Sequence, residues 1–248
     1  EVNIQPANFV EILDSLKRTS YDVLVMDVPE NNNRELEAYR PHVVKLCVIV
    51  GIGHFIDTET SWIADMVVYQ NMRPVQSLIR APQSSVLHGA NYILVEPGCA
   101  GWRRDPSDLG TECITYFGAG TPDKYAFECL HDLRQWIAGP VIDTRTPVAG
   151  HFGQRVAAAR ILVSTMGMAV NDALAVGTQA VVISRDQEHA DDAIALRGRG
   201  LTHVGFLKDI PPGDLALAAA EAYSSLRIRP LPLIDGMGVY RLARLLLE

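Results

Sequence analysis

Strand-like and helix-like segments alternate along the whole chain, and this alternation restricts its fold more than any other feature. The apolar runs at Val43–Val50 and residues 180–183 are hydrophobic on both faces, as strands covered by helices on both sides require. An amphipathic segment, residues 124–137, lies between them and places Phe127 and Leu130 on one helical face. The pattern predicts an α/β fold with parallel sheets.

The predicted elements fall into two groups. Before residue 91 the sequence predicts helices over residues 9–16 and 34–39 and three strands, at residues 22–27, 43–50 and 65–69. After residue 110 it predicts strands at residues 112–117, 141–142, 161–163, 180–183 and near Val204. Helices are expected over residues 124–137, 170–176, 188–197, 214–226 and 238–247.

The alternation breaks between residues 91 and 110, where prolines and glycines cluster with charged residues. Such a segment is typical of an interdomain linker. We therefore predict an N-terminal Rossmann-like domain over residues 1–100 and a C-terminal one over residues 101–248. Two sheets should meet at a cleft, and the helix that begins near Gly238 should pack at the junction.

Composition narrows the functional classes. The net charge of −7 and the lack of a long basic run argue against a nucleic-acid surface, which needs clustered Lys and Arg. No apolar run approaches the roughly 20 residues that span a bilayer, so we expect a cytoplasmic protein. The four cysteines form no CxxC pair, which favours buried free thiols over a zinc site or disulfides.

Three loops follow predicted strands of the second half and could bind an anion. The first contains Gly118, Ala119, Gly120 and Thr121, where little side chain separates the backbone from a ligand. It precedes a helix, and backbone N–H groups at a helix N-terminus attract phosphate. Taken alone, this loop is also compatible with an ordinary strand-to-helix turn that uses glycine for its dihedral angles.

The other two loops should open on the same edge of the sheet. The second carries Gly167, Met168 and Ala169 at a helix start, and Asp172 lies one turn further on. The third places Gln187 and Glu188 after the strand at residues 180–183, with Asp186 as a helix cap. Because ligands of open α/β sheets collect at the carboxyl ends of the strands, these loops together predict one site.

These motifs resemble the UDP-sugar hydrolases of the pseudaminic-acid pathway and the related spore-coat polysaccharide synthesis proteins, which have the GT-B fold of the glycosyltransferase MurG. Residues 117–122 resemble the family's Phe-Gly-Gly-Ser-Asp-Pro, and residues 166–172 its Gly-Gly-Ser-Thr-x-x-Glu. Residues 176–180 resemble Leu-Gly-x-Pro-Ala, Gln187 matches a loop Gln, and residues 235–241 contain Asp-Gly-x-Gly-x-x-Arg intact. The resemblance implies two Rossmann-like domains and a UDP-linked sugar as ligand, with Asp172 on the ribose, Gln187 on the sugar or a phosphate, and neither cofactor nor metal.

The chain departs from the family in the second loop. Met168 and Ala169 stand where the family has Ser and Thr, so two hydroxyl donors for phosphate are missing. Met166 replaces a glycine, and Asp172 replaces Glu with a side chain one methylene shorter. We therefore expect weak or altered nucleotide binding.

The first half resembles the family less closely. Residues 21–27, 63–68 and 92–97 are similar to family segments, but the opening Gly-x-Gly-His, whose His is the family's presumed base, has no counterpart. The Gly-Ile-Gly-His run that ends at His54 follows a later strand, and we interpret it as a strand-end turn. The resemblance therefore implies an incomplete first domain, and its exposed sheet edge makes a homodimer possible.

Three functions remain open at this stage. The first is a UDP-sugar hydrolase of nucleotide-sugar or cell-surface polysaccharide biosynthesis, and the second is a non-catalytic nucleotide-sugar-binding or assembly module. The third is a glycosyltransferase, whose acceptor site the sequence does not identify. No catalytic base can be assigned, although His151 and His189 could approach the cleft from the second half.

Overall fold

A computed structural model describes residues 9–27, 33–52, 63–73, 85–118, 120–145 and 150–248. The described strands form two separate parallel sheets, so the chain is an α/β protein with two sheets as predicted. The first sheet lies before residue 91 and the second after residue 110. The predicted boundary between residues 100 and 101 is a finer claim than this separation and stays a prediction.

The first sheet has four described strands in the order β1-β2-β3-β4. They are β1 (Tyr21–Asp27), β2 (Val43–Val50), β3 (Met66–Tyr69) and β4 (Ser85–Leu87). Helices α1 (Phe9–Arg18) and α2 (Asn33–Tyr39) cover one face, where Leu16, Leu36 and Tyr39 pack with Leu46 and Val48. Both faces of β2 are buried from Leu46 to Val50, which explains the apolar run over these five residues.

The second sheet has five strands in the order β6-β5-β7-β8-β9, all parallel. Its strands are β5 (Cys113–Tyr116), β6 (Val141–Asp143), β7 (Ile161–Thr165), β8 (Gln179–Ser184) and β9 (Leu201–Phe206). The helices are α3 (Asp123–Trp136), α4 (Phe152–Ala158), α5 (Met168–Val176), α6 (Gln187–Ala195) and α7 (Pro212–Ser225).

Alternate residues of β7 and β8 enter opposite layers of the core. Leu162 and Val182 pack with α4 and α5, whereas Val163 and Ile183 pack with α3 and α7. This period of two places helices on both faces of the second sheet, as a doubly wound parallel sheet requires.

The predicted linker is packed against the second half. Arg103 donates hydrogen bonds to the carbonyl oxygens of Ala175 (2.9 Å) and Ile234 (2.7 Å). Buried Arg229 donates to the Asp108 and Ala159 carbonyl oxygens and to the Thr178 hydroxyl. Together these bonds fix the path of the linker.

The last helix, α8 (Gly238–Leu247), returns to the first sheet. Leu242 packs against Cys47, Ile49 and Val68 on the face opposite α1 and α2. Lys45 donates to the carbonyl oxygens of Leu245 and Leu246, at the C-terminal end of α8. The prediction that this helix packs at the junction is therefore confirmed.

Two elements differ from the sequence expectations. The first sheet has a fourth described strand, β4, where three were predicted. Helix α4 was not predicted; its second residue is Gly153, and glycine is a poor helix former. The predicted incompleteness of the first domain and the homodimer stay predictions.

Candidate functional site

The order of the second sheet locates its ligand crevice. From β5 the chain goes to β6 on one side, then returns to the other side of β5 to form β7. The loops after β5 and β7 therefore diverge to opposite faces and leave a crevice at the carboxyl edge between these strands. Such a switch point is where open α/β sheets bind ligands.

The loop after β5 is joined to the end of β7. The backbone N–H of Gly118 donates to the Thr165 hydroxyl oxygen at 3.2 Å, and Thr121 N–H donates to the Gly118 carbonyl oxygen at 3.1 Å. Gly120 has φ = +98°, a left-handed value that disfavours any residue with a Cβ. Ala119 lies outside the described residues.

The loop after β7 leads directly into α5. Gly167 precedes the helix with an extended backbone and no side-chain cap, and a Cβ added there would find its nearest atom, the Thr165 carbonyl oxygen, 3.9 Å away. Neither backbone angle nor crowding within the fold therefore requires a glycine at this position. Met168 is half-exposed at the start of α5, and Ala169 is buried behind it.

A pocket of about 250 Å³ opens at this switch point. Six of the predicted site residues line it: Gly118, Gly120, Thr121, Gly167, Met168 and Ala169. Six further residues complete the lining: Tyr116, Thr165, Met166, Arg185, His189 and Leu207. Tyr116, Thr165 and Met166 lie at the ends of β5 and β7. Arg185, His189 and Leu207 follow β8 and β9, so residues from four neighbouring strands line the described pocket.

Asp172 points to the linker rather than lining this pocket. Its carboxylate accepts the Glu96 backbone N–H, and the Glu96 side chain in turn accepts the Gly153 N–H at 3.2 Å. The pKa of Asp172 is raised to about 6, chiefly by burial; the hydrogen bond from the Glu96 N–H lowers it, and the Glu96 charge adds a smaller upward contribution. The assignment of Asp172 to ribose stays a prediction, and it requires this contact to change.

Gln187 and Glu188 also make contacts away from the pocket lining. Gln187 donates to Asp191 at 2.7 Å along α6. Glu188 accepts from Arg73 at 3.1 Å, and Arg73 follows β3 of the first sheet. Their roles as ligand contacts stay predictions, and Glu188 is at present part of the junction between the two halves.

The junction is polar. Arg73 also lies 3.0 Å from buried Asp192, and Asn171 of α5 donates to the Gln70 carbonyl oxygen at 3.2 Å. Beside them Asn71 is only 3% exposed, and neither atom of its carboxamide has a hydrogen-bond partner in the described part of the chain. The end of β3 thus contacts the helices that follow β7 and β8.

The sequence indicated only that His189 could approach the cleft from the second half of the chain. Its Nδ1 lies 2.6 Å from Asp186 Oδ1, and Arg185 Nε lies 3.1 Å from Asp186 Oδ2. Asp186 also accepts the His189 backbone N–H at 3.0 Å, so its predicted capping role is confirmed. The spacing of Asp186 and His189, three residues apart at a helix start, was the available signal.

A second cavity lies between α3 and α7, away from the strand ends. It measures about 370 Å³ and is lined by Phe127, Glu128, His131, Asp132, Pro212 and Gly213. No strand-end loop reaches it among the described residues, so its size alone does not make it the better site. The switch-point pocket has the backbone donors that an anion requires.

Comparison with solved structures identifies the fold. Phytolacca americana UGT2, solved with UDP-2fluoro-glucose and pterostilbene, is 10% identical, with a TM-score of 0.54 over 96% of this chain and 72% of that chain. The spinosyn forosaminyltransferase SpnP is also 10% identical, with a TM-score of 0.54 over 97% and 80%. The glycotransferase of kitacinnamycin is 12% identical, with a TM-score of 0.56 over 96% and 78%. This chain has the GT-B fold. At these identities the likeness establishes the fold alone.

Other comparisons add no family. No protein-family model and no curated protein matches the sequence. Within the described ranges, no helix is both long and apolar enough to cross a membrane. The four cysteines are free and buried, as the sequence predicted. Gly53 and His54, the end of the Gly-Ile-Gly-His run, lie outside the described residues.

Proposed function

We propose that this GT-B chain binds a UDP-sugar in the switch-point pocket and acts as a glycosyltransferase. The observation that carries the proposal is Gly167, a glycine that the fold itself does not require and that leaves the N-terminus of α5 open to the pocket. A glycine at this position is explained if a diphosphate lies against the backbone, because a side chain would keep the phosphate away from the N–H groups.

The backbone of the two loops offers the donors that a diphosphate needs. The first hydrogen bond of α5 runs from the Val170 N–H to the Gly167 carbonyl oxygen (3.0 Å), so the N–H groups of Met168 and Ala169 precede the helical ladder, and the positive end of the helix dipole adds to their attraction for anions. Gly118 and Gly120 keep the facing loop free of bulk, while Thr121 and Thr165 add hydroxyl groups to the lining. Arg185 contributes a cationic side chain.

Transfer to an acceptor is preferred over hydrolysis. The three solved structures reported above are described as two transferases and a UGT bound to a UDP-sugar analogue and pterostilbene. The resemblance to UDP-sugar hydrolases rests on motif order alone, and no comparison adds to it. In either reaction the second half holds the diphosphate while the bond at the sugar breaks.

A second candidate is a binding module without turnover. It is favoured by the second loop, where Met168 and Ala169 offer no hydroxyl to a phosphate. Each missing hydrogen bond costs about 1 kcal/mol, so two reduce affinity about tenfold to a hundredfold. Weak binding without transfer is what this candidate requires.

Titration calorimetry with UDP and UDP-sugars tests the nucleotide site. We expect weak binding that is abolished by Gly118→Trp, because an indole there fills the pocket. Phe127→Trp in the cavity between α3 and α7 is the matched control and should leave binding unchanged. No heat with any nucleotide sugar at millimolar concentration contradicts the proposal.

Product analysis then separates the two candidates. Incubation of the bound UDP-sugar with phenolic and sugar acceptors should release UDP together with a glycosylated acceptor. Release of UDP and free sugar alone indicates a hydrolase, and binding without UDP release indicates the module.

A further inference from the structure

The pocket is lined by a histidine, His189, that the nucleotide proposal does not use and whose partner, Asp186, lies outside the lining. Asp186 caps α6 and is bonded to both the backbone N–H and the ring Nδ1 of His189. The His189 side chain lines the pocket although the residue is only 6% exposed. The imidazole is therefore fixed by its partner at the wall of the crevice.

The charges around this pair nearly cancel. Burial opposes ionisation of Asp186, but hydrogen bonds from His189 and Arg185 outweigh it and lower the pKa of Asp186 to about 2. Asp186 is thus an anion at neutral pH and offsets the positive charge of Arg185. The charge of this wall then depends on whether His189 carries one proton or two.

Groups on other elements surround α6. Arg73, from the end of β3, pairs with Glu188 and Asp192 of the same helix. On β9, which packs against α6, burial lowers the pKa of His203, and Lys208 follows that strand. No carboxylate appears among the described lining residues, and the basic side chains among them are those of Arg185 and His189.

We propose that His189, held by Asp186, is a phosphate-binding residue of this pocket. In the bound state the imidazolium donates through Nε2 to a phosphate oxygen, while Nδ1–H donates to Asp186. Anion binding then draws a proton onto the ring, because the charged donor bonds phosphate more strongly than the neutral ring does. This inference rests on the proposed nucleotide function and adds a named contact to it.

A purely structural role makes a different prediction. If Asp186 and His189 serve only to cap α6, the capping bond to the backbone N–H persists in any residue at position 189. Ligand affinity would then not depend on the ring, and binding would take up no proton there.

Calorimetry with UDP-glucose at pH 6, 7 and 8, in buffers that differ in ionisation enthalpy, measures proton uptake on binding. Both phosphates of this ligand are esterified, so the ligand itself does not titrate in this range. For the wild type we expect uptake of a fraction of a proton and affinity that falls as pH rises. His189→Gln should bind about tenfold more weakly at pH 6, with its dependence on pH lost.

One control isolates the ring. His131→Gln removes an exposed histidine of α3 outside this pocket and should behave as wild type. Circular dichroism verifies that each variant is folded; if His189→Gln unfolds, His189→Asn replaces it.

The outcomes separate this inference from the nucleotide proposal. UDP-glucose binding by His189→Gln with wild-type affinity and proton uptake overturns the role of His189 and leaves the nucleotide site standing. If the wild type does not bind UDP-glucose, the proposed function fails, and inorganic pyrophosphate becomes the probe. A difference in proton uptake between wild type and His189→Gln on pyrophosphate then still supports the anion contact, whereas no difference, or no binding, overturns it.

Discussion

Arg73 Nε lies 3.0 Å from a carboxylate oxygen of Asp192, and this contact joins the segment after β3 to α6. Asp192 is 1% exposed and the Arg73 side chain 12%, so water screens the pair poorly. The two halves of the chain are therefore connected by a buried ion pair at the edge where their strands end.

Replacing Arg73 should destabilise the protein strongly. Arg73→Met leaves the buried Asp192 carboxylate without its cation, and breaking a buried pair in this way costs about 3–5 kcal/mol. Urea unfolding measures the loss. Arg244→Met removes a fully exposed pair with Glu248, just after α8, and should leave stability nearly unchanged. Equal losses in the two variants would show that the Arg73 contact is not buried in solution.

The carboxamide of Asn71 has no hydrogen-bond partner among the described residues, so we expect this buried polar side chain to lower the stability of the protein. Asn71→Leu removes a buried amide that costs about 1–3 kcal/mol when unsatisfied, so we expect the free energy of unfolding to rise by about 1–2 kcal/mol. Asn171→Leu is the matched control, because Asn171 bonds to the Gln70 carbonyl oxygen and its loss should destabilise. If both variants lose stability alike, Asn71 has a partner in solution.

Asp172 should make stability depend on pH. Its pKa is about 6 in the folded chain, chiefly because of burial, against roughly 3.9 when unfolded. Between these values the folded state binds more protons, so this stabilising contribution is present below pH 4 and is lost as pH rises through 6. Asp172→Asn should gain on the order of 2–3 kcal/mol relative to wild type between pH 4 and pH 8.

Unfolding in urea at several pH values measures this difference. Asp14→Asn, at an exposed position on α1, serves as the control and should follow the wild-type curve. If Asp172→Asn also runs parallel to wild type, the folded state does not raise the pKa of Asp172.

A side chain at position 167 should have little effect on folding stability but should weaken the binding of UDP. A Cβ at position 167 makes only an ordinary contact, 3.9 Å from the Thr165 carbonyl oxygen, so we expect Gly167→Val to lose no more than about 1 kcal/mol of stability, from poorer helix capping. UDP affinity should fall at least about tenfold, because the isopropyl group occupies the position of the phosphate.

The control for this variant is Gly177→Val. Gly177 ends α5 with φ = +77°, and an added Cβ would lie 2.7 Å from the Pro230 carbonyl oxygen. That variant should lose stability by several kcal/mol, measured by thermal unfolding. Retained UDP affinity in a folded Gly167→Val would exclude Gly167 from the ligand site.

The sequence was sufficient to predict the long elements and the position of the pocket. The β2 strand at Val43–Val50 and the α8 helix at Gly238–Leu247 have the predicted bounds, because β2 is apolar except for Lys45 and α8 carries a helical period. The short elements β4 and α4 carry no such pattern. The glycine loops were visible because strand, small residues and helix are adjacent in sequence.

Side-chain directions at the site could not be predicted in the same way. Glu188 is held by Arg73, 115 residues earlier, and Asp172 by the backbone of Glu96 in the linker. A single sequence contains no signal for such distant pairs. His189 shows the opposite case, since its partner Asp186 is three residues away.

The return of α8 to the first sheet has a consequence for biosynthesis. The face of Cys47, Ile49 and Val68 acquires Leu242 only after the 174 residues from Val68 to Leu242 have been translated. At about 5–20 residues per second this takes roughly 9–35 seconds. During that interval the nascent first half exposes this apolar surface while it is still attached to the ribosome. A chaperone or the emerging second half can then bind the surface before Leu242 does.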